Sequence, residues 1–214
     1  MKRFLPAVAV TAIALASSGC VAEKTTHRLY LSSSGSVLWS VLEEGVHSDN
    51  GDPAEQAHEE REWLDALGVG AHPVAEGLRR LQGEAITTRM LRSQRPYMAL
   101  TEARFVRADH LINRWLAELG LHGTATLVTS GPHVTLTVSV DLPSEDQLDP
   151  EIESPALALI QDPDAYRFIL TEGRIVSAIG FEIHDQGMSA TLREVPDAVI
   201  EAGGTLTMQL VWRR

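Results

Sequence analysis

Hydrophobic and polar positions along this chain repeat with two different periods, and the period predicts where strands and helices lie. Apolar residues recur at every second position over residues 37–42, 134–140 and 205–212, which is the spacing of strands with one buried face. They recur every three or four positions over residues 111–119, which is typical of an amphipathic helix, and Gly120 ends it. The chain therefore combines helices with strands.

Capping residues predict two further helices before that one. Asp52 is a favourable N-cap and Pro53 suits the first helical position, so a helix should run to about Leu67. A second helix begins at residues 72–73, with a single apolar stripe. All three helices fall in the N-terminal half.

Short turns rich in serine, glycine and proline join most of the predicted strands into hairpins. The predicted pairs are residues 29–31 with 37–42, 85–91 with 97–106, 124–129 with 134–140, and 166–170 with 174–183. The later segments are an acidic loop over 141–155, a strand over 188–192, a short helix over 196–202 and a closing strand over 205–212. This pattern predicts an α+β fold, mainly antiparallel sheet built from hairpins with about three helices in the N-terminal half. We expect residues 27–214 to form a single domain.

The first twenty residues have the pattern of an export signal. A basic head, residues 1–3, precedes an apolar run over residues 4–16, and small residues then lead to Cys20. As a helix the apolar run is about 20 Å long, which is short of the roughly 30 Å core of a bilayer. The segment therefore indicates a secretory signal rather than a membrane span.

The residues around the single cysteine resemble the lipobox of bacterial lipoproteins. The stretch Ala16-Ser17-Ser18-Gly19-Cys20 matches at its last two residues and in the small residues before them, and departs at Ser17, where leucine is usual. The resemblance implies that residues 1–19 are a signal peptide that is removed, and that Cys20 carries acyl chains such as palmitate. Two or three such chains give a stable membrane anchor.

The residue after the cysteine bears on location. It is Val21 rather than aspartate, which by the same analogy implies the periplasmic face of the outer membrane rather than the inner membrane. An alternative is cleavage by an ordinary signal peptidase after residues 14–16, which would leave Cys20 as a free thiol. Residues 20–26 are expected to form a short tether of at most about 20 Å.

The charge balance restricts the partners. The chain carries 18 basic and 29 acidic residues, a formal net charge of −11, and loses two basic residues with the signal, which leaves −13. Phosphate backbones require a net basic face, so a nucleic-acid partner is not expected. An acidic domain is also repelled by anionic lipid, so the acyl chains must provide the anchoring.

The usual catalytic signatures are absent from the sequence. It contains no phosphate-binding Gly-x-x-x-x-Gly-Lys-Ser/Thr loop, no Gly-x-Gly-x-x-Gly dinucleotide motif and no Gly-x-Ser-x-Gly nucleophile elbow. Lys24 is the only lysine after the signal, and Cys20 is the only cysteine. We therefore expect no cofactor, no metal and no catalytic residue.

Two histidine arrangements support an alternative, a metal-dependent or histidine/carboxylate hydrolase of the envelope. His58 and Glu62 share one helix face with Glu55, in a sequence that begins like the zinc-protease motif His-Glu-x-x-His. A metal would need another ligand, such as His47 or Asp49. An exposed acidic helix face explains the same residues without a metal.

The second histidine arrangement flanks one predicted hairpin. His122 precedes its first strand and His133 begins its second. Two histidines at strand ends could be neighbours and form a catalytic or metal-binding pair, although solvent-facing turn residues are the simpler interpretation.

Arginines are concentrated in the middle of the chain. A possible anion-binding patch on the second hairpin consists of Arg89, Arg92, Arg95 and Arg104, because guanidinium groups bind carboxylate or phosphate at two points. The alternative is that these arginines balance the acidic residues of segments 43–65 and 141–153.

Taken together, these features predict a membrane-anchored lipoprotein. Its mature part is expected to be a non-enzymatic binding or scaffolding domain of the cell envelope, and its partner an unidentified envelope protein or anionic ligand. The hydrolase remains the alternative.

Overall fold

The structure is a computed structural model that describes residues 20–142, 165–196 and 203–214, together with Val199. The predicted signal peptide, most of the predicted acidic loop and nearly all of the predicted helix over 196–202 lie outside the described residues.

The described residues form two sheets and three α-helices. In chain order the strands are β1 Cys20–Val21, β2 Lys24–Leu31, β3 Val37–Ser48, β4 Glu84–Arg92, β5 Tyr97–Phe105, β6 Gly123–Ser130, β7 His133–Leu142, β8 Tyr166–Leu170, β9 Arg174–Ile179, β10 Phe181–His184, β11 Ser189–Leu192 and β12 Gly204–Arg213. The helices are α1 Pro53–Gly68, α2 Pro73–Arg80 and α3 Ala108–Glu118. The predicted α+β class and the helices in the N-terminal half are confirmed.

The large sheet has the order β10-β11-β8-β2-β3-β5-β4, and β1 pairs with the end of β3. Its pairs are antiparallel except β2 with β8, which run parallel from His27 opposite Tyr166 to Leu31 opposite Leu170. The small sheet has the order β6-β7-β12-β9 and is antiparallel throughout. The predicted dominance of antiparallel pairing is confirmed.

The helices begin where the sequence predicts. Asp52 caps α1 by accepting a hydrogen bond from the backbone N–H of Ala54, at 2.8 Å, and Pro53 occupies the first turn. α2 begins after His72, whose side chain is buried and makes no cap. The third helix buries the stripe that contains Leu111 and Trp115.

One main hydrophobic core lies between the two sheets and is completed by α2 and α3. Trp39 of the large sheet lies at its centre, fully buried, with the Trp115 ring 5.2 Å away. A second, smaller core lies under α1 and is formed by Val46, Trp63, Leu67 and Ala99. The four tryptophans of the chain are all buried, as expected for core residues.

The predicted hairpin of residues 166–170 with 174–183 is wrong. β8 pairs with β2 and β11 in the large sheet, whereas β9 pairs with β12 in the small sheet. Residues 174–183 are also not a single strand, because the chain changes sheets at Gly180, which has a φ of 72°. The turn at Glu172-Gly173 therefore joins two sheets instead of two neighbouring strands.

The N-terminal segment is paired within the sheet. Cys20 lies opposite Ser48 and Val21 opposite His47, while Lys24 begins β2. Residues 20–26, predicted as a tether, thus carry β1 and the start of β2.

Candidate functional site

An apolar cavity lies between the two sheets, beside α3. Fifteen described residues line it, and all except Arg193 are apolar. They are Ile112, Trp115, Leu116, Leu121, Leu136, Val138, Val140, Leu142, Phe168, Phe181, Leu192, Arg193, Val195, Leu206 and Met208. The space among them that no atom occupies is about 740 Å³, including part open to solvent.

The cavity is narrow. Its cavity volume is about 60 Å³, a small part of the space among the lining side chains. An apolar space of this kind excludes water, because water would find no hydrogen-bond partners there.

Strand periodicity explains why the walls are apolar. Leu136, Val138 and Val140 alternate on β7 with exposed or half-buried polar residues, so their side chains all face inward. Leu206 and Met208 do the same on β12. These are the positions that the sequence pattern assigns to a core, and nothing in that pattern distinguishes a packed core from one that leaves a slot.

One wall of the cavity holds an unpartnered polar group. The indole N–H of Trp115 is buried and has no hydrogen-bond acceptor among the described residues. A buried N–H without an acceptor costs about 1–3 kcal/mol.

The environment of Cys20 is a second distinctive region. Cys20 is half-buried and packs against the small core under α1. Burial, followed by the neighbouring carboxylates of Glu60 and Glu59, raises the pKa of its thiol to about 11 against the smaller, opposing effect of Arg95. A free thiol here stays protonated at neutral pH and is a poor nucleophile.

The structure places the four candidate arginines apart. Arg92 lies opposite Met98 in the β4–β5 hairpin, and Arg104 lies six residues further along β5, about 20 Å away. Arg89 contacts Glu102 at 3.6 Å, and Arg95 contacts Glu60 at 2.9 Å. The four residues therefore do not converge on one anion, and two of them balance charges within the domain.

The structure also shows where the residues of the first histidine arrangement lie. His58 Nε2 lies 3.4 Å from Glu62 Oε1, with both side chains more than half exposed. His47 instead contacts the carbonyl of Gly45. Across the described ranges, no group of three or more histidine, cysteine, aspartate or glutamate side chains is placed to hold a metal ion.

His122 and His133 are not neighbours. The backbone N–H of Asp141 donates to the His122 carbonyl, whereas His133 lies opposite Ser130 at the other end of the same hairpin. The eight-residue separation along β7 corresponds to about 26 Å. The idea of a histidine pair across this hairpin is therefore wrong.

His27 is a buried histidine that the sequence does not single out. It lies in the main core, stacked on Tyr166 with ring centroids 4.4 Å apart, and its Nδ1 accepts a hydrogen bond from Trp39 Nε1 at 3.2 Å. Burial lowers its pKa to about 3. In the sequence, a single histidine within a run of alternating apolar residues indicates nothing more than core packing.

Comparisons with known proteins give one weak structural similarity. No protein-family model matches the chain, and no curated protein matches it. The fold is similar to the NMR structure of the folded domain of the Mycobacterium tuberculosis LppM protein, with a TM-score of 0.37, 14% identity and 88% of each chain covered. This similarity is too low to assign a function. In the described part of the chain, no helix has the length and apolarity needed to cross a membrane.

Proposed function

We propose that this protein is a lipid-anchored domain of the bacterial cell envelope that binds an apolar ligand and catalyses no reaction. The observation that supports ligand binding is the narrow cavity, whose described lining consists of fourteen apolar side chains and Arg193. Ligand sites in proteins are concave and mostly apolar, with a few polar groups that fix orientation. The described lining residues that carry polar groups are Arg193 and Trp115, and the Trp115 indole N–H has no acceptor among the described residues.

The chemistry of these walls favours a ligand with a hydrocarbon chain. The fourteen apolar side chains among the described lining residues offer no nucleophile, acid or base, and the proposed role of the cavity is to retain a ligand. The only charged group among the described lining residues is Arg193, which can pair with a carboxylate or phosphate. A fatty acyl chain with an anionic head combines both features.

The anchor is supported by sequence. Gly19-Cys20 and the small residues before them resemble a lipobox, and Cys20 is the only cysteine of the chain. Acylation of Cys20, removal of residues 1–19 and a position on the outer membrane, facing the periplasm, are the corresponding parts of the proposal. Its partners are then the membrane and the apolar ligand.

Ligand binding is tested by titrating the full chain carrying Cys20→Ser, which needs no detergent, with a fluorescent fatty acid. Met208 lines the cavity and is only partly buried, so Met208→Trp should fill the slot from its rim and weaken binding at least about tenfold. Thr207→Trp is the matched control, because Thr207 is the exposed neighbour on the other face of β12. Equal binding by the two variants would contradict the cavity as the site.

The anchor is tested by mass spectrometry of the protein extracted from native membranes. We expect a chain that begins at Cys20 and carries the added mass of acyl chains, and a Cys20→Ser variant that leaves the membrane fraction. An unmodified thiol at Cys20 would refute this part of the proposal.

A further inference from the structure

The end of the large sheet that carries Cys20 is an ordered surface. Cys20 pairs with Ser48 and packs, as Tyr97 and Met90 do, against the small core under α1, so the proposed acylated residue lies in the sheet. A lipid on its sulfur would therefore leave the domain from a fixed point. The orientation of the domain on a membrane then depends on what surrounds that point.

The tip of the β4–β5 hairpin is next to Cys20. β5 begins with Tyr97 opposite Val46, two residues before Ser48 on β3. Glu60 contacts both β3 and the hairpin turn. Its Oε1 accepts a hydrogen bond from the Ser48 backbone N–H at 3.3 Å and lies 2.9 Å from Arg95 Nε. The strand partner of Cys20 and the arginine of the hairpin turn thus share one carboxylate.

The hairpin tip has an amphipathic and basic surface. Residues 85–101 contain three arginines and no acidic residue. Leu91 is 49% exposed at an irregularity of β4, where the register shifts between Met90 and Arg92. Arg92 is exposed, its Nε donates to the Pro96 carbonyl, and no carboxylate among the described residues pairs with it.

Two of the carboxylates near Cys20, those of Glu59 and Glu60, are bound within the protein. Arg95 neutralises Glu60, and Ser48 and Asn50 donate hydrogen bonds to Glu59, which hold its pKa below the ordinary value. Asp49 and Glu23 remain exposed around Cys20, whereas the hairpin tip presents an exposed leucine and a guanidinium that pairs with no carboxylate among the described residues.

We propose that the β4–β5 tip is the membrane-contacting surface of the domain, with Leu91 entering the headgroup region and Arg92 binding phosphates of anionic lipids. Arginines close to an anionic surface are attracted to it, and an exposed apolar side chain can partition into the interface. This inference rests on the proposed acylation of Cys20. The domain is otherwise acidic, and the hairpin tip would give it one basic contact with the membrane beside the acyl chains on Cys20.

The test uses the full-length, natively processed protein reconstituted in vesicles of phosphatidylcholine with phosphatidylglycerol. A fluorophore is placed on Leu91→Cys, and lipids with a spin label at the headgroup act as quenchers. Quenching at position 91 should be at least about twofold stronger than at Val128→Cys, since headgroup-depth insertion brings the probe within several ångströms of the spin label. Val128 is the matched control, because it is 58% exposed on β6 of the other sheet.

A second pair of variants tests the charge. Arg92→Glu should reduce the quenching at position 91 on these anionic vesicles, whereas Arg213→Glu, an exposed arginine on β12, should leave it unchanged. Equal quenching at positions 91 and 128, or equal effects of the two charge reversals, would overturn the membrane contact alone. An unmodified Cys20 in the mass spectrum would overturn the anchor and this inference with it.

Discussion

At the scale of single residues, His27 couples the stability of the fold to pH. Its imidazole is buried in the main core, stacked on Tyr166, and accepts a hydrogen bond at Nδ1 from Trp39. Both the burial and this accepted bond require the neutral ring. Because burial lowers the pKa to about 3 from an ordinary value of 6.5, the unfolded chain takes up a proton in acid long before the folded protein does.

The direction of this pH dependence follows from which state takes up the proton. The contribution of His27 is complete above pH 6.5 and is lost as the pH falls from 6.5 towards 3, where the unfolded state binds the extra proton. Between pH 7 and pH 4.5 we expect about 2–3 kcal/mol of unfolding free energy to be lost through this residue. Urea unfolding of the wild type and of His27→Gln at both pH values measures it. A loss of equal size in the variant would show that other groups cause the pH dependence.

At the scale of elements, the link between β8 and β9 depends on a glycine. The chain leaves the large sheet at Leu170 and enters the small sheet at Arg174, through Glu172 and Gly173. Gly173 has a φ of 80°, and a Cβ at this position would lie 2.1 Å from the carbonyl oxygen of Arg213. The left-handed conformation and the close backbone approach both exclude a side chain.

Gly173→Ala is therefore expected to cost at least about 3 kcal/mol of unfolding free energy, from backbone strain combined with steric overlap. Gly131→Ala is the matched control. Gly131 also has a positive φ, 57°, but among the described residues no atom beyond its chain neighbours lies within 4 Å of the place a Cβ would take, so only the strain of about 1 kcal/mol remains. Equilibrium denaturation compares them, and similar losses in both variants would show that the contact with Arg213 is unimportant.

The elements themselves could be predicted from the sequence because their signals are local. Caps such as Asp52 and strict alternation such as Val134 to Val140 specify a helix start and a strand within a few residues. Strand partners far apart in sequence leave no such signal. β8 pairs with β2, more than a hundred residues earlier, whereas the sequence pattern favours its neighbour β9.

The features of the candidate site could likewise be predicted only where their signal is local in the sequence. The prediction that Cys20 is acylated rests on its immediate neighbours in sequence, whereas its pairing with Ser48 and its proximity to Arg95 depend on the folded sheet. The four arginines share a hairpin in sequence, but strand length separates Arg92 from Arg104. The cavity could not be predicted at all, because whether apolar side chains fill the space between two sheets depends on distances that periodicity does not specify.

At the scale of the whole molecule, the two hydrophobic cores differ greatly in size. The main core joins both sheets with α2 and α3, while the smaller core has four buried members and holds α1 against the large sheet. Only Glu60, Trp63 and Leu67 of α1 are buried. A helix held by so few apolar contacts can open without disrupting the sheets.

We therefore expect the amide hydrogens of α1 to exchange through a local opening of lower free energy than the global unfolding that exposes β2 and β3. Hydrogen exchange followed by mass spectrometry or NMR measures this, with the buried helix α3 as the internal control. Trp63→Ala should speed exchange in α1 and leave α3 unchanged. Exchange of α1 as slow as that of the central strands would show that the two cores unfold as one unit.

The pairing of Cys20 with Ser48 has a consequence for the order of events during biogenesis. The bond between Gly19 and Cys20 joins the predicted leader directly to a residue that, in the folded domain, is half-buried in a strand. The acylation and cleavage proposed above would need this junction in extended, unpaired form. Under the proposed acylation, these steps would therefore come before Cys20 pairs with Ser48, and the large sheet would be completed after the anchor is attached.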